Sequence, residues 1–453
     1  GTINRQVVGG INTITSYSSF AGLDQPTMED LNLYTGRICT ALRGGHQVAD
    51  VAVVYPVNSL WPHTEPAKGV GSPDPASVEV EQAYNGTLDA VFKSGRDATI
   101  LDAKAIVDSR VEGNKLVHGN LAWSVLVLPA AETLPAAAWE RIGAFWAAGG
   151  AVIGIGRRPL NQPDQFPSAA AKALGERMFG SGEQAATITG PNGARGIWLP
   201  SGAASLLPRA FDLLIGRDVE LPKGAPLRTT HRRVDGRDVY FIINDSATAW
   251  QGQVTLAGAG AGELCDPDTG KRTALAGNQV TLDLPAYRGM ILRYERAVDR
   301  ARRQPEAGPL MLGKPTPLPT VTPTVGGGEF VAGEPVTTGK LPDGRTSWHF
   351  QGRLTKSDVD THQFAQLRYE RPLDLSGTEA LCVESGVVEG QTPPATMYCI
   401  ITCADGAQYI APVGRLMNHA GWRVSQIPWE RFGRFGTSKA GGETLDTESI
   451  AAI

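Results

Sequence analysis

The chain has 453 residues, 42% hydrophobic and 19% charged, with Lys+Arg 42 against Asp+Glu 46 and a formal charge of −4. That length predicts more than one core, since single cores stop growing near roughly 250–300 residues. The balanced charge, with no basic run longer than Arg300-Ala301-Arg302-Arg303, argues against nucleic-acid and anionic-membrane partners, and no apolar stretch reaches the roughly 20 residues of a membrane helix.

The first residues, Asn4-Arg5-Gln6-Val7-Val8-Gly9-Gly10-Ile11-Asn12-Thr13-Ile14-Thr15, read as a helix end, a glycine stop and a buried strand over residues 7–15. The last ones, Ile450-Ala451-Ala452-Ile453, break off in an apolar strand. Both ends read as the inside of a fold, so the chain is expected to be a piece of a longer polypeptide. After a polar loop over 16–25, Pro26-Thr27-Met28-Glu29-Asp30 opens a helix whose face carries Leu31, Tyr34, Ile38 and Leu42, and Gly44-Gly45 ends it.

A nearly continuous apolar run at 48–56 follows, as expected of a parallel strand covered on both faces. The alternation continues with a helix at 78–94, strands at 98–101 and 124–129, a helix at 135–148 and a strand at 151–156. Such βαβ order predicts an open parallel sheet with helices on both sides, and ligands in that fold sit beyond the carboxyl ends of the strands. The loop after Tyr55, Pro56-Val57-Asn58-Ser59-Leu60-Trp61-Pro62-His63-Thr64-Glu65-Pro66, is therefore a candidate site. Its aromatic face suits stacking on pyranose C–H bonds and its amide suits directional hydrogen bonds, so Asn58, Trp61, His63 and Glu65 are candidate sugar-binding residues. The strand end Gly154-Ile155-Gly156-Arg157-Arg158-Pro159 lacks a GxGxxG helix opening, which argues against a dinucleotide.

From residue 227 the pattern changes to short alternating strands at 229–234, 238–244, 251–256, 262–266, 279–284 and 289–295, which predicts a small antiparallel sandwich. His231-Arg232-Arg233 reads there as a solvent-facing ladder. The turn Asp266-Pro267-Asp268-Thr269-Gly270 is too short for an EF-hand calcium loop, and no CxxC or Cys/His zinc spacing occurs, so neither a metal nor a cofactor is expected in this chain. Residues 298–328 carry Pro315-Thr316-Pro317-Leu318-Pro319 and Gly326-Gly327-Gly328 and read as a spacer. Beyond it another all-β pattern, with Trp348, Trp422 and Trp429 either lining a sugar groove or sitting in the core, predicts a jelly roll. Cys399 and Cys403 are four apart on a strand, about 13 Å at strand rise, and cannot bond each other. The five cysteines read as buried free thiols, whereas a bridge from Cys382 to either would point to a periplasmic or secreted protein.

Two stretches carry a family likeness. Leu31-Asn32-Leu33-Tyr34, Val48-Ala49-Asp50-Val51-Ala52-Val53, Trp123-Ser124-Val125-Leu126-Val127-Leu128-Pro129 and Trp146-Ala147-Ala148-Gly149-Gly150-Ala151-Val152 resemble the glutamine-amidotransferase-like domain that follows the catalytic barrel in several glycoside hydrolases. Family 42 β-galactosidases and family 106 α-L-rhamnosidases are examples. The strands around Tyr240-Phe241-Ile242-Ile243-Asn244 and the turn at Asp266 resemble the sandwich after that domain in the rhamnosidases, and Asp374-Leu375-Ser376-Gly377 with Trp422 and Ile427-Pro428-Trp429 resembles a carbohydrate-binding jelly roll.

The resemblance implies a multidomain chain: the end of a (β/α)8 barrel at 1–25, an α/β open parallel sheet at 26–220, an antiparallel β-sandwich at 221–297, the linker at 298–328 and an incomplete jelly roll at 329–453. It implies a glycoside hydrolase whose two catalytic carboxylates lie on a preceding barrel segment of the same protein, with a carbohydrate as substrate and α-L-rhamnosidase as the expected activity. Water attack between two carboxylates about 6.5–9.5 Å apart would invert the anomeric centre. Tyr17 and Ser18, which follow the expected last barrel strand, join the substrate-binding candidates. A β-galactosidase or other exo-glycosidase and a non-catalytic carbohydrate-binding or assembly module are the alternatives. A true amidotransferase needs a Cys or Ser at the strand-to-helix elbow, where this chain has Pro129-Ala130-Ala131.

Overall fold

The computed structural model describes residues 1–15, 20–64, 75–182, 185–201, 203–222, 224–257, 260–295, 316–333, 336–341, 344–349, 351–356, 361–387, 395–417, 421–436, 438, 440–442 and 444–453. The chain divides into two compact units, Gly1–Leu312 and Gly313–Ile453.

The first unit opens with helix α1, Thr2–Val8. The strand expected at 7–15 does not form. Gly9 N–H donates to Arg5 O at 2.9 Å, Gly10 N–H to Val7 O and Ile11 N–H to Gln6 O at 3.0 Å, so the donors a ladder would need are used to close the helix. Ile11 is 46% exposed. Helix α2, Gln25–Leu42, is capped by Asp24, which accepts from Thr27 N–H at 2.9 Å. Tyr34, Ile38 and Leu42 are buried on its apolar stripe, against Val239, Phe241, Ile243 and Ile291 of the sandwich.

The parallel sheet is built from β1 (Val51–Val54), β2 (Ala98–Leu101), β3 (Val125–Pro129), β4 (Ala151–Ile155), β5 (Ala186–Thr189) and β6 (Arg195–Leu199), in the order β2-β1-β3-β4-β6-β5. Only the edge strand β5 is antiparallel to its neighbour. The expected run at 48–56 forms a strand only at Val51–Val54: Val48 N–H donates to His231 O, next to His46–Gln47, which pairs with Arg232 and Arg233 of the sandwich. Successive residues of a strand point to opposite faces, and each face finds its own helices. Val51, Val53, Val125, Val127 and Ile153 pack with Ala90 and Val91 of α3 (Pro75–Lys93) and with Leu207, Ala210 and Phe211. Ala52, Val54, Leu126, Leu128 and Val152 pack with α4 (Ala136–Ala147) and α5 (Ala169–Phe179), through Trp139, Ile142, Phe145, Met178 and Phe179. A three-stranded meander, Arg110–Glu112, Lys115–His118 and Leu121–Trp123, adds Leu116 and Trp123 to this second face.

Two antiparallel sheets follow. Leu227–Val234, Arg237–Asn244, Gly289–Glu295, Ala261–Cys265 and Arg272–Ala276 form one, with His46–Gln47 at its edge. Val219–Glu220, Trp250–Leu256 and Gln279–Leu284 form the other. Tyr240, Ile242, Leu292 and Tyr294 of the first sheet meet Val254, Leu256, Val280, Leu282 and Leu284 of the second. The solvent-facing ladder expected at His231-Arg232-Arg233 is corrected here: His231 is 1% exposed and lies between Asp218, just before the strand Val219–Glu220, and Asp238 of the opposite strand.

In the second unit a five-stranded sheet, whose inner face carries Cys399, Ile401, Cys403, Tyr409, Ala411 and Val413, packs against the pair Ala380–Val387 and Gly421–Pro428 through Leu381 and Ile427. All five cysteines are free thiols. Cys399 and Cys403 sit in this core, while Cys382 alternates with the core residues Leu381 and Val383 and so lies on the opposite face of its strand. Trp429 is half-buried, donates Nε1–H to Thr378 O at 2.9 Å and packs against Phe432, whereas the Trp422 ring is exposed.

Candidate functional site at the carboxyl end of the parallel sheet

The strand order reverses between β1 and β3, and the chain ends of those strands meet at one rim. Beyond β1, Tyr55 packs edge-on against Tyr84 of α3, with ring centroids 5.4 Å apart. Pro56 starts the short helix Val57–Leu60, and a single 3-10 turn, Trp61–His63, completes the loop. Ser59 is fully buried and anchors this loop to the neighbouring strand exit. Its Oγ accepts from Thr133 N–H at 3.1 Å.

Of the sugar-binding candidates, Asn58, Trp61 and His63 are thereby placed on one segment at the rim. Asn58 is half-buried, the Trp61 indole is 64% exposed, and His63 Nε2 stands 3.8 Å from Glu132 Oε1. Tyr17, Ser18 and Glu65 lie outside the described residues.

Beyond β3 the chain turns at Ala130, which is buried in the left-handed region at φ 47°. Its N–H donates to Ile155 O at 2.8 Å, and Glu132 N–H donates back to Ala130 O at 3.0 Å. This is the elbow at which a nucleophile would be presented, and a methyl group occupies it.

Beyond β4, Gly156 leads to Arg157, whose guanidinium is buried between two carboxylates. Nη2 is 2.6 Å from Glu79 Oε2 and Nη1 is 3.1 Å from Glu132 Oε1. Glu79, on α3, is 3% exposed and also accepts from Arg157 Nε at 3.2 Å and from Ser201 Oγ, beyond β6, at 3.1 Å. Burial alone would lower the Arg157 pKa, but attraction to Glu79 and Glu132 outweighs it and the net shift is upward. The exits of β3, β4 and β6 are therefore tied to helix α3 around one cation. Glu79, Glu132, Arg157 and Ser201 are the residues that sequence reading missed. The available signal was a glutamate between Val78 and Val80 in the first turns of a helix, and an arginine two residues after a strand.

Chemically the described rim is closed. Both carboxylates are committed to the same guanidinium, so they do not form a separated acid and base, and no nucleophile stands at the elbow. Among the described residues no group of three or more His, Cys, Asp or Glu could hold a metal ion. What the rim does present is an exposed indole beside an imidazole.

No protein-family model and no curated protein matches the chain. Among solved structures it is similar to a rhamnosidase from Novosphingobium sp. PP1Y, at TM-score 0.46 and 15% identity, over 94% of this chain and 41% of that one. It is also similar to a β-galactosidase from Bacillus circulans sp. alkalophilus, at TM-score 0.39 and 15% identity over 58% of this chain and 45% of that one. A β-galactosidase from Rahnella sp. R3 matches at TM-score 0.39 and 15% identity, over 60% and 45%. The chain thus spans less than half the length of each of these glycosidases.

Proposed function

We propose that this chain is the part of a glycoside hydrolase that follows the catalytic barrel, and that the whole protein is an α-L-rhamnosidase acting on a terminal sugar. The observation that supports the first statement is the closed rim: the elbow bears Ala130 and the carboxylates Glu79 and Glu132 are paired with Arg157, so this rim offers no separated acid and base, as expected if the catalytic carboxylates lie on a barrel segment. The Trp61 indole, with Asn58 and His63 beside it, supports a contact role, since an aromatic face stacks on pyranose C–H bonds. The rhamnosidase reading rests on the motif order described above, a parallel sheet followed by a sandwich around Tyr240-Phe241-Ile242-Ile243-Asn244, a proline spacer and a second all-β unit.

A panel of aryl glycosides given to the full-length protein tests this. Release of L-rhamnose from an aryl α-L-rhamnoside is expected, and Trp61→Ala should raise KM or lower kcat with the melting temperature nearly unchanged. Turnover of β-galactoside or β-glucuronide alone would replace the rhamnosidase by another exo-glycosidase. Turnover of no glycoside would overturn the enzyme reading.

A further inference from the structure

The boundary between the parallel sheet and the sandwich holds buried charge that the proposed function does not use. Gly95, at φ 70°, turns the chain out of α3 so closely that a Cβ there would lie 1.9 Å from Val219 O, and Val219 N–H donates to Gly95 O at 2.9 Å. Arg96 and Asp97 follow, both buried. Arg96 pairs with Asp212 at 2.6 Å, and Asp212 also takes Arg217 at 2.6 Å. Asp97 accepts from Ala98 N–H at 2.8 Å, Gln47 Nε2 at 2.7 Å, Thr230 Oγ1 at 2.7 Å and His231 N–H at 3.0 Å. One carboxylate therefore joins the start of β2 to the sandwich strand Leu227–Val234.

The His231 side chain lies between two further carboxylates. Nδ1 is 2.7 Å from Asp218 Oδ2 and Nε2 is 3.3 Å from Asp238 Oδ1, while Arg233 holds the same Asp238 oxygen at 2.9 Å. The ring stacks on Tyr240 at 3.9 Å, and Tyr240 meets Tyr294 edge-on. A neutral imidazole has one N–H and one lone pair, so one of its nitrogens would turn a lone pair toward a carboxylate; the imidazolium donates at both. Burial pushes the Asp97 carboxyl up to about 6 against the hydrogen bonds that pull it down.

We propose that Asp218, His231 and Asp238 form a proton-operated latch: the His231 imidazolium ties the chain at Asp218, where it enters the strand Val219–Glu220, to the strands Leu227–Val234 and Arg237–Asn244, and losing that proton loosens the boundary while both cores stay folded. The neighbouring histidine is His46, paired across the ladder from Arg233, and it serves as the control.

Hydrogen exchange on the full chain, corrected for intrinsic rates, reads the latch at Val219 N–H, bonded to Gly95 O, and Val48 N–H, bonded to His231 O. Their protection should fall roughly tenfold or more between about pH 7.5 and about pH 9.5, above the range in which Asp97 titrates, with core amides of β3 unchanged, as expected of a local opening. His231→Gln should make protection low and independent of pH, and His46→Gln should keep the wild-type response. If His231→Gln does not fold, ring 15N shifts of the wild type decide: both nitrogens protonated at about pH 7.5 supports the latch, because an unperturbed ring would by then be mostly neutral. A neutral ring at that pH, unchanged protection, or a fall that survives in His231→Gln overturns it.

Discussion

Two buried clusters in the first unit share a plan, a nitrogen-bearing side chain between two carboxylates, and differ in which side chain holds the proton. At the sheet rim Arg157 lies between Glu79 and Glu132, and at the sandwich boundary His231 lies between Asp218 and Asp238. A guanidinium cannot release its proton in a protein, so the rim cluster has a permanent cation and can only be broken by mutation or by protonating its acids. An imidazolium can be neutralised near physiological pH. The same geometry is a fixed clamp in one place and, as proposed, a switchable one in the other.

The largest effect should come from breaking the clamp. Arg157→Met leaves Glu79 and Glu132 without their cation, and removing one partner of a buried pair costs about 3–5 kcal/mol. Denaturant unfolding measures it, and a loss below about 1 kcal/mol would mean that water reaches these carboxylates readily.

The boundary should show its own pH slope through Asp97. Its folded pKa, about 6, lies above the ordinary 3.8, so the folded chain holds this proton more tightly than the unfolded one. That stability is fully present below the unfolded value and is lost as pH rises through about 6. The gap of roughly two units corresponds to about 3 kcal/mol. Unfolding midpoints between about pH 4 and about pH 7 should therefore fall in the wild type and flatten in Asp97→Asn. An identical slope in the variant would assign the effect to other carboxylates.

Ala130→Val sharpens the picture of the rim. A β-branched residue at φ 47° in a filled core should cost about 1–3 kcal/mol, read by thermal unfolding. A neutral result would show that the elbow can relax. The smallest effect belongs to Trp61→Ala, which should stay within about 0.5 kcal/mol because the indole is exposed. A steep loss would make that ring a packing element rather than a contact surface.

Much of the architecture was readable along the chain. The valines of Val51–Val54, the apolar Val125–Pro129 and Ala151–Ile155, and the stripe Tyr34, Ile38 and Leu42 announce buried strands and a one-sided helix by spacing alone. Gln279–Leu284 and Gly289–Glu295 have the bounds that their alternation predicts. The candidate loop at Asn58, Trp61 and His63 was found by the rule that ligands lie beyond strand ends. Local pattern misled at residues 7–15, where apolar residues next to two glycines looked like a strand and helix closure took the donors. It also misled at His231, which alternates with arginines as an exposed ladder would.

The sequence by itself determined the strands Val51–Val54, Val125–Pro129 and Ala151–Ile155 and the helix Gln25–Leu42, and that the elbow carries no nucleophile, because both depend on neighbours a few positions apart. The tertiary structure alone decided which charges meet. Arg157 and Glu79 are 78 residues apart, and Asp97 and His231 are 134 apart. No periodicity records such partners. Burial makes each of these groups costly without its mate, so their pairing is set by how the sheets and helices stack, not by the residues that flank them.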